Sequence, residues 1–577
     1  MTKRKINVQW VAVLCLVALL IGALSVFLFR TPANAAVDIS GTGAREEFYT
    51  LGNPTFSFSS IYADGMVLQR EKEICLTGFS NVAGIDATAT LADENGVIIA
   101  IGSAKTTAGQ FSITLPAQSA AKGLTLNIRI TSGADTFYDK TFTDVAVGEV
   151  WILSGQSNMW VPLHHLEDAA GYLANADNYG DNIRYFTQSR AASFEEQTDT
   201  VGGGWYTATA ENLSAHEISG IGYVMAARLA DQLDGVPVAV INAYYAGSSI
   251  TAWFDLDTVE NKYPSLYNTY LDYQSKGTPS SWNLVPSACY NQMVHPIKGY
   301  TARGIVWYQG ESNSGTPDQY LDYYKTLTSL WREWLHNDEL PFMVMQLAPY
   351  PGNAYPAFRN AQYNMVQNDP YSYLISTSED GPVFSAADNR NGFGYSHVHP
   401  ARKSGIGLRT ADMILGEIYG ADLGRAHKAP EVVSVTRDGN RVILTFDTDL
   451  TLLHGNTVEG FTLDGVAAVG VIDGKTLTLT AEGVSEPKTV AYAQDKLTVV
   501  MKDGTVYRNV TNVHVGNDGE SGRNYSDYSY TTFVTEDGKT ITVGAGSHDV
   551  IRSTYGGNLT NESGYALPAF SLTVSAE

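Results

Sequence analysis

The sequence predicts an α/β domain built on a parallel sheet and set between two all-β regions. Three observations predict it. Four apolar stretches, "VWILS", "PVAVINA", "GIVWYQ" and "PFMVMQLA", alternate with helical stretches between about residues 144 and 424. Unbroken apolar runs of this kind suit strands covered on both faces of a parallel sheet. On either side the texture is β: alternating strands from about 56 to 143, and short strands with Asp-Gly and Gly-Lys turns after "HKAPEVVSV".

The N-terminus carries an export signal. Lys3, Arg4 and Lys5 precede the apolar run Val8–Phe29, and Ala33-Asn34-Ala35 forms a small-residue cleavage pattern. Residues 1–35 are therefore expected to be a signal peptide, with an uncleaved anchor as the alternative, because the run is long enough to span a bilayer. Either places the body outside the cytoplasm, secreted or held at the extracytoplasmic face. Cys15 sits in this segment, and Cys75 and Cys289 are too far apart to make a disulfide framework, so both are expected as free, buried thiols.

Residues 54–143 are expected as a small β-sandwich. Leu124, Leu126, Ile128 and Ile130 fall on one face of "LTLNIRI", Phe111, Ile113 and Leu115 on one face of "FSITL", and Asn95-Gly96 marks a two-residue hairpin. The α/β domain follows at 144–424, where Ile221, Val224, Met225, Leu229 and Leu233 line one face of a helix within Ile218–Leu233. Pro430 marks a linker into a C-terminal β domain at 429–577.

The 577 residues suit three or four domains, and 44% hydrophobic content supports several packed cores. Charged residues make up 17%, with 54 glycines and 34 tyrosines, a profile of β-rich chains with tight turns. The net charge of −23 argues against nucleic acid and anionic membrane surfaces as partners, beyond the N-terminal anchor.

Four segments carry the chemistry, each at or just after a strand end, where open α/β sheets bind ligands. They are Gly155-Gln156-Ser157-Asn158, Ala246-Gly247-Ser248-Ser249, Gln309-Gly310-Glu311-Ser312-Asn313 and His397-Val398-His399-Pro400. Singly, each has a structural reading as a turn or a helix-entry loop. Jointly they follow the order Ser, Gly, Asn, His of the SGNH hydrolases. With "IYADGMVLQR" (61–70), "GEVWILSGQSNM" (148–159), "AGSSITAW" (246–253), "YNQMVHPIKGYTARGIVWYQGESN" (290–313), "VHPARKSGIGLR" (398–409) and "NLTNESGYALPAF" (558–570), the chain resembles the sialate O-acetylesterase family of carbohydrate esterases over nearly all of its mature length.

The resemblance implies an SGNH-hydrolase-like, three-layer parallel-sheet domain flanked by β-sandwich modules, and hydrolysis of O-acetyl esters on sugars, sialic acids first. Ser157 then attacks the acetyl carbonyl, and His399, which precedes Pro400 as the family's histidine does, takes its proton. The N–H groups of Ser157 and Gly247 and the amide of Asn313 are the oxyanion donors, with Gln309 replacing Asn313 if the strand ends one residue earlier. Gln156, Trp160, Tyr245, Gln309 and His397 are candidates to line the substrate pocket; Tyr244 and Tyr245 either stack on a sugar or pack. No cofactor or metal is expected, since His164-His165-Leu166-Glu167 lacks the spacing of a zinc helix motif.

Three departures from the family pattern stand out. Many SGNH hydrolases place an aspartate two or three residues before the histidine, where this chain has His397 and Ser396. Glu311 is the first substitute to orient His399, then Asp388, then Asp380, and a Ser–His dyad is the remaining alternative. Trp160 stands where the family often carries an acid. About sixty residues of extra β pattern, roughly 496–556, separate "VAYAQD" from "GNLTNESGYALPAF" and read as an inserted β subdomain. The rival functions are an acetylxylan-type polysaccharide esterase and a non-catalytic sugar-binding protein on a decayed esterase scaffold.

Overall fold

The computed structural model describes residues 53–166, 168–349, 355–378, 380, 399, 403–494, 497–501, 503–516, 530–544, 550–554 and 557–576. The expected leader at 1–35 lies outside the described residues, as do Asp388 and His397. The chain has a mixed α/β architecture with several sheets.

Seven strands position the site: β1 (Asp135–Gly155), β2 (Ile183–Thr187), β3 (Gly204–Thr207), β4 (Val238–Tyr244), β5 (Gly304–Tyr308), β6 (Phe342–Met345) and β7 (Ser372–Ile375). Their order across the sheet is β3-β2-β4-β1-β5-β6-β7. All neighbours are parallel except β3, which is antiparallel to β2. Every residue of β4, β5 and β6 is buried, which is why these stretches read as unbroken apolar runs.

The central strand, β1, is 21 residues long. Its first half pairs antiparallel with Ala121–Ser132 of the N-terminal region. From Val145 to Gly155 it is buried throughout, and from Trp151 onward it lies parallel between β4 and β5. The expected boundary at 143/144 thus falls inside one continuous strand, and the N-terminal β region and the α/β sheet share it rather than meeting through a linker. The chain later builds outward from β1 in both directions, so the end of β1 is the switch point where a crevice forms.

Five helices matter below: α1 (Ser157–Trp160), α2 (Gly220–Gln232), α3 (Pro317–Trp334), α4 (Tyr355–Gln367) and α5 (Ser404–Met413). In α2, Ile221, Val224, Met225 and Leu229 are buried, as the periodicity predicts, and the Ser219 side chain caps it by accepting from the Gly222 N–H. Leu233 sits at its C-cap.

In the N-terminal region the alternation holds: Phe111, Ile113, Leu115, Leu124, Leu126, Ile128 and Ile130 are all buried. Asp86–Ala92 and Ile98–Lys105 pair antiparallel around Asn95-Gly96. Cys289 is buried, but Cys75 is only half-buried; both are free thiols. Past residue 430 an eight-stranded sheet forms, in which Thr489–Tyr492 pairs with Phe570–Thr573. Between those two strands a separate five-stranded sheet is inserted, with Val499, Val510, Phe533 and Val543 as its own small core. No helix among the described residues is long and apolar enough to cross a membrane.

Gly155, the last residue of β1, has φ +128°, and a Cβ there would stand 2.1 Å from the Tyr308 carbonyl oxygen of β5. Both the backbone conformation and the close approach require glycine. Gly155→Ala is expected to destabilise the fold by about 2 kcal/mol or more and to depress activity with it; chemical denaturation of the two proteins side by side checks this.

Candidate active site

The position of the candidate nucleophile, Ser157, follows from this strand end. β1 stops at Gly155, the Gln156 N–H donates to the Tyr308 carbonyl at 2.9 Å, and the chain turns at once into α1, with Ser157 as its first residue. Ser157 is 8% exposed, enough for its hydroxyl to face a crevice. The first N–H groups of a helix have no intrahelical acceptor, so the Ser157 N–H is left for a ligand.

His399 meets Ser157 directly: Nε2 lies 2.7 Å from Oγ, across 242 residues of sequence. This is the distance at which an imidazole takes a hydroxyl proton. Of the two histidines in "HVHP", His397 lies outside the described residues.

The oxyanion candidates come from two loops. Gly247 has φ +69°, and its carbonyl accepts from Asn283 Nδ2 at 2.8 Å and Ser312 Oγ at 2.9 Å. With the carbonyl so tethered, the Gly247 N–H has no acceptor among the described residues. The Asn313 amide is fixed in one orientation: Oδ1 accepts from Gln309 Nε2 at 2.7 Å and from the Ile250 N–H at 3.1 Å. Nδ2 donates to Ser249 Oγ at 3.2 Å, leaving one N–H of the amide for another acceptor.

Gln309 and Gln156 depart from expectation. Gln309 is fully buried and cannot line a substrate pocket. Its Nε2 lies 2.9 Å from the Ser248 carbonyl, 2.7 Å from Asn313 Oδ1 and 3.2 Å from Gln156 Oε1, while its Oε1 accepts from the Tyr320 hydroxyl at 2.8 Å. Gln156 is 3% exposed and uses its carbonyl oxygen on Gln309 and the Ser312 N–H. Both glutamines knit the three loops together instead of reaching outward.

Glu311 departs as well. Its carboxylate is not bonded to His399: Oε1 accepts from Asn158 Nδ2, and Oε2 is buried without a hydrogen bond. The oxygen of the same Asn158 amide accepts from Lys403 Nζ, and both Asn158 and Lys403 are buried. The sequence reading missed Asn158 and Lys403, although one follows the serine and the other follows the histidine by four positions. Burial pushes the Glu311 carboxyl above its usual range, against the Asn158 hydrogen bond and the Lys403 charge. Burial likewise lowers Lys403 to about 7, opposed by Glu311 and Asp380. Asp380, the third candidate acid, forms a buried ion pair with Arg409. Asp388 lies outside the described residues.

At the rim, Tyr245 is half-buried and donates its N–H to the Gly155 carbonyl at 3.0 Å, and Tyr244 is buried with its hydroxyl on the Glu217 carbonyl at 3.1 Å. Tyr244 therefore packs. The Trp160 indole donates to Glu217 Oε2 at 3.0 Å, and Arg190 covers one face of its ring, 3.5 Å from the centroid.

Because a glutamine at 311 can still accept from Asn158, Glu311→Gln is expected to lower kcat by less than about tenfold, under ~1.4 kcal/mol. A carboxylate orienting the imidazole would cost about four orders of magnitude; steady-state kinetics separates the two. Lys403 has a proton affinity below its unfolded value, so the unfolded chain binds more protons between pH 7 and 10.5 and folding stability gains with rising pH. Lys403→Met lacks that gain: its stability relative to the parent is expected to be highest near pH 6 and to fall by pH 10, read from melting temperatures across that range.

A profile described as "Carbohydrate esterase, sialic acid-specific acetylesterase" matches residues 147–383, which span the serine, glycine and asparagine loops. The sialate O-acetylesterase of Mus musculus is 23% identical over 435 residues, 68% of this chain and 80% of the mouse protein. The Homo sapiens enzyme of that name is 27% identical over 307 residues, 51% of this chain and 57% of the human protein. Among solved structures, a carbohydrate acetylesterase from Xanthomonas citri aligns with a TM-score of 0.65 and 23% identity, covering 90% of this chain and 99% of that one. Residues 147–383 thus match the sialic acid-specific acetylesterase family of carbohydrate esterases, and the chain is similar to sialate O-acetylesterases along two thirds of its length.

Proposed function

We propose that this esterase removes O-acetyl groups from sugars through an acetyl-enzyme on Ser157, on an SGNH-type core flanked by β-sandwich modules. The observation that carries the reading is the 2.7 Å contact between His399 Nε2 and Ser157 Oγ at the end of the central strand. His399 takes the hydroxyl proton as Oγ attacks the acetyl carbonyl. The N–H groups of Ser157 and Gly247 and the free N–H of Asn313 Nδ2 stabilise the oxyanion. His399 then protonates the departing sugar oxygen, and a water attacks the acetyl-serine with the same base, releasing acetate. No step calls on a cofactor.

O-acetylated sialic acid, named in the relatives' descriptions, is the first substrate to assign, with acetylated plant polysaccharide as the alternative. The export signal at 1–35 puts the activity outside the cytoplasm. A decayed, non-catalytic scaffold is disfavoured by the Ser157–His399 contact together with donors left open beside it.

Ser157→Ala is expected to remove more than about three orders of magnitude of acetate release with an unchanged melting temperature, assayed on 9-O-acetylated sialic acid and on acetylxylan. Because His399 must be neutral to accept the proton, kcat/KM is expected to fall on the acid side with an apparent pKa of roughly 6 to 7. A rate flat down to about pH 5 would remove the histidine base.

A further inference from the structure

A cavity of about 430 Å³ opens at the carboxyl edge of the sheet, lined in part by Trp160, Arg190, Tyr206, His216, Glu217 and Tyr244. Its place in the fold ties it to the reaction. Tyr244 is the last residue of β4 and Thr187, also in its lining, the last of β2, so the cavity lies at the same carboxyl edge of the sheet as the end of β1. Trp160 closes the single helical turn that Ser157 begins, and residues three apart on a helix share a face.

The polar groups there are pre-arranged. Glu217 Oε2 accepts from the Trp160 indole at 3.0 Å and pairs with Arg190 Nη1 at 3.2 Å, while the guanidinium carbon lies over the indole, 3.5 Å from the ring centroid. The three side chains therefore brace one another. What remains is the useful part: Glu217 Oε1 and the Nη2 and Nε groups of Arg190 have no partner among the described residues. The Tyr206 and His216 rings, with centroids 3.8 Å apart and planes tilted by 36°, give the cavity an aromatic wall.

We propose that this cavity is the sugar subsite of the esterase, and that the Arg190–Glu217 pair binds two neighbouring hydroxyls of an uncharged sugar face. The assignment rests on the esterase reading above, and favours its alternative substrate, a neutral acetylated polysaccharide, over O-acetylated sialic acid. A guanidinium edge donates to one hydroxyl oxygen while an adjacent carboxylate oxygen accepts from the next hydroxyl; a vicinal diol presents that donor and acceptor together. A sugar carboxylate satisfies only the guanidinium and meets the charge of Glu217. The ion pair already neutralises Arg190, so the described lining offers no excess lysine or arginine charge with which to recruit an anion. A ring face of the sugar packs on the aromatic wall.

The experiment uses the full chain and free, unacetylated sugars, so that binding is read apart from turnover. Calorimetric titration is run with methyl β-xyloside, methyl β-galactoside and the methyl glycoside of N-acetylglucosamine, and separately with N-acetylneuraminic acid, at low and high salt. At least one uncharged glycoside is expected to bind with an affinity indifferent to salt, and Arg190→Met and Glu217→Gln each to weaken it at least tenfold. Both side chains are partly exposed, so neither change threatens the fold, and equal melting temperatures confirm it. Failure of all three glycosides to bind, or equal affinity in both variants, overturns the proposal. So does binding of N-acetylneuraminic acid alone, with an affinity that falls with salt and rises in Glu217→Gln, which is the signature of a carboxylate site. Acetate release is measured independently on the parent protein: sugar binding without esterase activity would sink the function proposed above and leave the subsite standing, whereas activity with unaltered binding in the variants would do the reverse.

Discussion

The site depends on one buried amide. Three loops leave the sheet at the ends of β1, β4 and β5, each carrying backbone or side-chain polar groups that burial would strand at a cost of a few kcal/mol apiece. Gln309 answers for all three at once, through Gln156 on the first loop, the Ser248 carbonyl on the second and Asn313 on its own. Its orientation is not adjustable, because the Tyr320 hydroxyl from α3 holds Oε1 and so commits Nε2 to the loops. The proposed oxyanion donors consequently arrive on a framework already fixed before any substrate binds, which is the condition for electrostatic stabilisation to work without reorganisation.

A second amide plays a related part for the nucleophile's turn. Asn158 stands between a carboxylate and an ammonium, both out of solvent, and only one of its two flip states can serve both: oxygen toward Lys403, nitrogen toward Glu311. Reversing the amide would face donor with donor and acceptor with acceptor. The two charges therefore select the side-chain orientation of the residue bonded to Ser157, and each offsets part of the desolvation cost of the other. The carboxylate is held close to the site but turned to the serine's neighbour rather than to the histidine.

This explains what was legible in the sequence and what was not. Apolar runs and alternation report burial on one or both faces, and burial is what the strands around Trp151, Val240, Val306 and Val344 have in common, so the sheet could be read residue by residue. The serine and histidine were legible because short motifs fix them near strand and helix ends. The partner of a carboxylate was not, since Glu311 and Asn158 are 153 positions apart and nothing local records which of several nearby polar groups it meets. The same holds for Gln309: its motif marks a strand end, but whether a glutamine there faces the crevice or turns back into the loops depends on Tyr320 in the following helix. That the boundary expected at 143/144 falls inside β1 has a simpler cause. A strand that is half in one sheet and half in another shows a change of pattern without a break in the chain.

The charge balance of the whole chain bears on what the crevice can select. A net charge of −23 sets up a field that opposes the approach of acidic glycans and leaves neutral ones unaffected. A site that recruited anions against that field would need uncompensated positive groups at its mouth. Among the described residues, Lys403 is buried on Asn158, Arg409 is paired with Asp380, and Arg190 with Glu217. The long-range field thus separates acidic glycans from neutral ones only, and discrimination among the neutral ones falls to contacts of a few ångströms, where an aromatic wall and a braced donor–acceptor pair distinguish one hydroxyl pattern from another.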